Sequence, residues 1–273
     1  MPEPTRIALT REVSSALGRC ELTHLRRTAI DIRRARRQHA LYEQLLATLG
    51  CRIERLAEEP ELADSVFVED TAVVLDELAV ITRPGAQSRR AETASVSSAL
   101  GAVRPLARIK APGTLDGGDV LRVDETIYVG LSSRSNRAGI DQLAAQVRPF
   151  GYRVQPVPVR GCLHLKSAVT PVDAHTLLIN PHWVDRQAFA TMRFIEVDAA
   201  EPFGANALCI GAAVVYPASN PATARRLRAH GLSVHSIEMS ELEKAEGAVT
   251  CCSLIVSSGT ASDRTDCASA ALR

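Results

Sequence analysis

The chain has 273 residues and a formal net charge of +1, with 46% hydrophobic and 23% charged residues. That length allows one large domain or two small ones with a substantial core, and so balanced a charge excludes a general attraction to nucleic acid or to acidic membrane surfaces. No run of about 18 apolar residues occurs, which argues against a membrane span, and residues 1–11 lack the apolar stretch of a signal peptide.

In chain order, Leu41, Leu45 and Leu49 recur every four residues, as one helical face does, and predict a helix that stops at Gly50. Arg26, Arg27, Arg33, Arg34, Arg36 and Arg37 read as the solvated side of this helix, opposite Ile30, Leu41 and Leu45. Next, Asp64, Glu69 and Asp70 flank an apolar run that reads as a strand, followed by the buried-looking Thr71-Ala72-Val73-Val74-Leu75. Buried carboxylates need cationic partners, and a guanidinium is one.

Two stretches then resemble each other. Glu69-Asp70-Thr71-Ala72-Val73-Val74 leads through Asp76-Glu77 to Ala79-Val80-Ile81 and Ser88-Arg89-Arg90, and Gly118-Asp119-Val120-Leu121 leads through Asp124-Glu125 to Tyr128-Val129 and Ser133-Arg134. Each predicts two strands, a tight acidic turn, and an arginine at the next helix start. A helix from Asn136 follows, with Ile140, Leu143 and Val147 on one face; another opens at Asn220-Pro221. Glycines at 50, 101, 151 and 231 each end a helix-like run before a strand restarts. Weaker counterparts of the hairpins begin near Ser167, Asn206 and Thr250. About five ββαβ units result. One unit cannot bury its own apolar face, so five around a pseudo-axis predict a closed α/β propeller. No linker interrupts the series, which gives one domain over residues 1–256; residues 257–273, rich in Ser, Ala, Thr and Asp, read as a frayed tail. A doubly wound parallel sheet ranks second, because the acidic turns look like hairpin turns.

Three clusters carry chemistry. The acids at 64, 69 and 70 form the first. Gly113-Thr114-Leu115-Asp116-Gly117-Gly118-Asp119 is a tight loop without the pattern of a phosphate loop. The third is split between His164, set between Leu163 and Leu165, and Cys251, beside Cys252. A histidine between leucines is more often a satisfied core residue, and a single buried cysteine is usually inert packing. Together, however, the clusters supply a nucleophile, a general acid/base, an acid to orient the base and a cation cage. The seven cysteines show neither CxxC nor Cys/His zinc spacing, so free thiols in a reducing, cytoplasmic setting are expected.

The strings FVEDTAVV, ITRPGAQSRR, GTLDGGDV, YVGLSSRSN, LHLKS and SELEKAEGAVTCCSL, in that order, resemble the dimethylarginine dimethylaminohydrolases, guanidino-modifying enzymes of the five-bladed pentein α/β-propeller fold. The resemblance runs from about Leu22 to Leu254. It implies Cys251 as nucleophile, His164 as general acid/base and Asp116 as the carboxylate paired with it, where some members carry Glu. It further implies Asp64, Glu69 and Asp70 as substrate-binding acids, Arg89 and Arg134 at the amino-acid end of the substrate, and Leu22 in a lid loop. Ala245 matches a substrate-binding position usually filled by a larger aliphatic residue. The reaction so implied hydrolyses methylated arginine, a small-molecule partner, to citrulline and a methylamine, with no cofactor and no metal; a homodimer is compatible with it. Arginine deiminases are the nearest rival, though typically longer by a helical insertion. A non-catalytic binder of the same fold, like the ribosome anti-association factors, is more remote, since it has no need of the cysteine, histidine and acid set. Nucleic-acid binding through the arginine-rich helix comes third, against a near-neutral charge and 4% aromatic residues.

Overall fold

Short hairpins, each followed by a crossover to a parallel third strand, make up the computed structural model, which describes residues 6–189 and 191–257. Strand β1 (Arg6–Arg11) is joined by helix α1 (Ile32–Thr48) to the parallel β2 (Cys51–Leu56). Strands β3 (Ala72–Val74) and β4 (Ala79–Ile81) form the next hairpin, and α2 (Thr93–Gly101) leads to β5 (Leu106–Arg108). The third sheet is β6 (Val120–Val123), β7 (Thr126–Leu131), α3 (Arg137–Val147) and β8 (Arg153–Pro158). In the fourth, α4 (Leu165–Ala168) precedes β9 (Val169–Asp173) and β10 (Thr176–Ile179); among the described residues the crossover to β11 (Arg193–Glu196) carries only a 3-10 turn, Arg186–Phe189. The fifth is β12 (Leu208–Ile210), β13 (Ala213–Pro217), α5 (Pro221–Ala229) and β14 (Ser233–Ile237). After α6 (Ser240–Glu243), β15 (Leu254–Val256) returns antiparallel to β1 and completes the first sheet. Five separate three-stranded sheets replace the single continuous sheet of the doubly wound alternative, and the fold is an α/β propeller. No described helix is long and apolar enough to cross a membrane.

The weaker repeats begin where the sequence places them, at β9, β12 and β15. Helix α3 buries Ile140, Leu143 and Val147 against Val80, Leu115 and Val129, and the Asn136 side chain caps it by accepting the Gly139 N–H. Gly50, Gly151 and Gly231 take φ of +92°, +89° and +82°, the left-handed helix terminus where only glycine is unstrained, whereas Gly101 remains the last residue of α2.

Other expectations are corrected. Helix α1 buries Ala35, Gln38, His39, Tyr42, Glu43 and Leu46, while Leu41 is 51% exposed. The leucine row, stepping four residues against a 3.6-residue turn, drifts around the helix. The face actually buried is fixed by polar contacts, with Tyr42 Oη 2.7 Å from Ser253 Oγ and Thr10 Oγ1 donating to Glu43 at 2.6 Å. Arg26 and Arg27 precede α1, whereas Arg33, Arg34, Arg36 and Arg37 lie on its exposed side as expected, with Arg36 binding the Val13 carbonyl and Glu58 there. Asn220 does not cap α5 with its side chain; Glu201 does so from a distance, accepting Ala222 N–H and Thr223 N–H. The stretch from Asp64 to Asp70 is turn and 3-10 helix (Val68–Thr71), not strand, because the Arg89 guanidinium takes the carbonyls of Asp64 and Phe67 that a ladder would need. Of the expected frayed tail only Ser257 is described; the rest lies outside the described residues.

In each sheet the edge strand antiparallel to the middle one is preceded by a polar residue: Asp70 before β3, Asp116 before β6, His164 before β9, Asn206 before β12 and Cys251 before β15.

Candidate active site

These strand approaches meet. Asp64, Asp70, Arg89 and Arg134 line a cavity of about 20 Å³ together with His164, Ala245 and Cys251. Cys251 sits in the turn before β15; its amide donates to Ala248 O, and its carbonyl accepts the Glu69 amide at 3.1 Å. Burial, then the carboxylates of Glu69 and Asp70, push its thiol far above the ordinary value.

His164 lies just ahead of α4, 4% exposed. Its Nε2 is 3.1 Å from Asp116 Oδ2 and its Nδ1 is 3.9 Å from Asp70 Oδ1. Burial works against the charged ring, yet Asp70, Asp116 and Asp119 overcome it and raise the imidazolium to about 9. Asp116 is fully buried and uses its other oxygen on the Gly85 amide at 2.8 Å. The backbone passes so close here that a Cβ on Gly117 would lie 1.9 Å from the Glu69 carbonyl, and one on Gly118 would lie 2.6 Å from His164 Nδ1. The paired glycines of the loop therefore serve approach to protein groups.

Asp70 accepts from Arg89 Nη1 at 2.5 Å and from the Gly118 amide at 2.9 Å. Burial would favour its acid form, but His164 and Arg89 hold it well below the usual carboxylate range. Arg89 spends all three nitrogens within the protein, on Asp70, on Glu92 and on the carbonyls of Asp64 and Phe67. Arg134, among the described residues, spends only Nη2, on Thr23 Oγ1 at 3.1 Å. Asp64 accepts the Glu21 amide, and burial raises its pKa. Asp70, Asp116 and His164 bring three donor atoms within 4.8 Å of one another. Those atoms are engaged with Arg89, two backbone amides and each other; this donor set suits a charge network better than a divalent cation.

A family model described as "N,N dimethylarginine dimethylhydrolase, eukaryotic" matches residues 18–187. The N(G),N(G)-dimethylarginine dimethylaminohydrolase of Streptomyces coelicolor is 40% identical over 253 residues, 92% of this chain and 97% of that protein. The chain belongs to the dimethylarginine dimethylaminohydrolase family. The dimethylarginine dimethylaminohydrolase of Pseudomonas aeruginosa, solved as a cysteine-to-serine variant complexed with citrulline, superposes with a TM-score of 0.86 at 30% identity, covering 93% of this chain and all of that one. A histidine-to-glycine variant of a dimethylarginine dimethylaminohydrolase, solved as an adduct with S-methyl-L-thiocitrulline, gives a TM-score of 0.86 at 31% identity, over 91% of this chain and 98% of its own.

Three residues singled out in the sequence do not line the cavity: Asp116, which reaches it only through His164, and Leu22 and Glu69. Leu22 is half-buried against the core around Val13 and Tyr42, next to the cavity-lining Glu21. Glu69 has one oxygen on Lys166 Nζ (2.6 Å) and the other on Thr250 Oγ1 (2.7 Å), and it lines a different cavity of about 260 Å³. Several supporting residues have no role assigned to them by the sequence. Asp119, fully buried, accepts the Leu165 amide and two serine hydroxyls and so fixes the backbone beside His164. Asn206 ties down Thr250 through both its backbone amide and its hydroxyl. Glu92 braces Arg89; burial, against the pull of that arginine, pushes its carboxyl up to about 7. Lys166 was within sight, two residues beyond His164.

Proposed function

We propose that this chain hydrolyses Nω-methylated arginine to citrulline and a methylamine, with Cys251 as nucleophile. The observation that carries the reading is the single cavity shared by a thiol, a protonated histidine and the ionised Asp70. A guanidinium is a poor electrophile, and Asp70 and Asp64 would fix its plane and turn its central carbon toward sulfur. In the empty site the buried thiol keeps its proton; a bound cation offsets the nearby carboxylates, and the thiol proton leaves to solvent. The thiolate then adds to the guanidinium carbon. His164, held by Asp116, gives its proton to the departing amine as the C–N bond breaks, and a thiouronium on Cys251 remains. The neutral ring next takes a proton from water, whose oxygen attacks the same carbon; the adduct's hydroxyl proton passes to sulfur as the C–S bond breaks, which restores the Cys251 thiol and releases citrulline. No step calls for a redox partner.

Cys251→Ser is expected to lose at least about 10³-fold in kcat/KM for asymmetric dimethylarginine, read as citrulline formed, whereas Cys252→Ser keeps substantial activity. A reversal of the two variants would remove Cys251 from the role. A panel with monomethylarginine, arginine, symmetric dimethylarginine and agmatine separates this reading from arginine deimination.

A further inference from the structure

A cavity of about 20 Å³ has room for about one water molecule. An arginine derivative cannot enter unless a wall moves. One wall is the stretch 21–25, and four fastenings hold it, one of them the Ser88 hydroxyl donating to Glu21 Oε1 at 2.5 Å. The Glu21 amide donates to Asp64 Oδ2 at 3.0 Å, and Thr23 Oγ1 accepts from Arg134 Nη2 at 3.1 Å. The fourth is Glu246, whose carboxylate accepts three successive backbone N–H groups: Thr23 at 3.0 Å, His24 at 2.5 Å and Leu25 at 2.6 Å. Consecutive amides around one anion form a nest, and a charged acceptor makes each bond stronger than a neutral one would. Glu246 itself takes φ +58°, a conformation uncommon outside glycine.

We infer that Glu246 is the latch of a lid formed by residues 21–25, a positioning residue that governs access to Cys251 without touching the reacting atoms. This rests on the hydrolase reading above. Under that reading Asp64 and Arg134 serve the substrate, so bound substrate competes with the lid for them. The Glu246 clasp uses a carboxylate that the reaction does not need, and with its three amide bonds, beside the single Ser88–Glu21 bond, it can hold the lid over an occupied site. The same residues mark the way in. His24, Leu25 and Glu246 also line a cavity of about 290 Å³, and Leu163, Glu246 and Gly247 border both spaces. Withdrawing His24 and Leu25 from Glu246 opens the partition between them, which makes the larger space the antechamber through which a guanidinium compound reaches the thiol.

The test uses Glu246→Ala and Glu246→Gln; the second keeps size and one acceptor oxygen but loses the charge. Arg26 and Arg27, exposed at the end of the lid, offer trypsin a place to cut. Without substrate, cleavage there should accelerate at least about 10-fold in Glu246→Ala and less in Glu246→Gln, because proteolysis tracks the open population. The thermal midpoint should stay within about 2 °C of wild type. With asymmetric dimethylarginine, Glu246→Ala should raise KM at least about 5-fold while kcat changes less than about 3-fold. Unchanged trypsin cleavage in folded variants overturns the latch, as does a fall in kcat at constant KM, which would place Glu246 in the chemistry. If the wild-type protein proved inactive on methylated arginines, the hydrolase reading would fall while the trypsin measurement still decided the latch.

Discussion

Arg89 and Arg134 follow the second strands of two successive sheets, one in the 3-10 turn Gln87–Glu92 and the other just after β7, and both border the cavity. They differ in what they have left to give. Arg89 is engaged with two carboxylates and two carbonyls. Arg134 holds one hydroxyl among the described residues. Position in the repeat thus brings a side chain to the cavity but does not set what it does. The wall containing Arg89, Asp70, His164 and Asp116 is a finished charge network; the wall containing Arg134 keeps bonding capacity for a ligand.

The largest expected effect falls on the finished wall. Arg89→Ala leaves Asp70 and Glu92 buried without their cation and should cost roughly 3–5 kcal/mol of stability in urea denaturation at pH 7. A cost below about 1 kcal/mol, with kcat/KM falling instead, would make Arg89 a ligand arginine like its counterpart.

His164 gives the same wall a pH signature. Its folded pKa, raised to about 9, exceeds the ordinary 6.5. The charged ring therefore contributes stability that is fully present below about pH 6.5 and is lost as pH rises through 9. The stability difference between wild type and His164→Gln should shrink by roughly 3 kcal/mol across that window. A difference that stays constant with pH would mean the ring is neutral and the network incomplete.

The open wall should show a smaller effect, in binding rather than folding. Arg134→Ala should keep wild-type stability within about 0.5 kcal/mol yet lose roughly 2 kcal/mol in kcat/KM for dimethylarginine, while activity on agmatine, which lacks the α-carboxylate, stays unchanged. Equal losses on both compounds would sink the assignment.

The hairpins with acidic turns were legible because their signals are local: a period of two, a tight turn, a glycine after a helix. The fourth sheet was harder, since among the described residues its crossover carries only a 3-10 turn. In the site, Cys251, His164, Asp116 and Asp70 sit in short distinctive strings. Thr250 meets Glu69 across 181 residues, and Asn206 meets Thr250 across 44, distances over which one sequence carries no trace of contact. The buried face of α1 was misjudged for a related reason. Leucine spacing reports helicity, but Tyr42 and Glu43 turn inward for partners on other elements.

The pairing of β15 with β1 has a consequence for the order of events during synthesis. Cys251 leaves the ribosome just ahead of the strand that closes the ring, after the other four sheets, the histidine and the acids have emerged. Until then the partly made chain has no such thiol to be alkylated or oxidised. The proposed nucleophile arrives with the strand that encloses it.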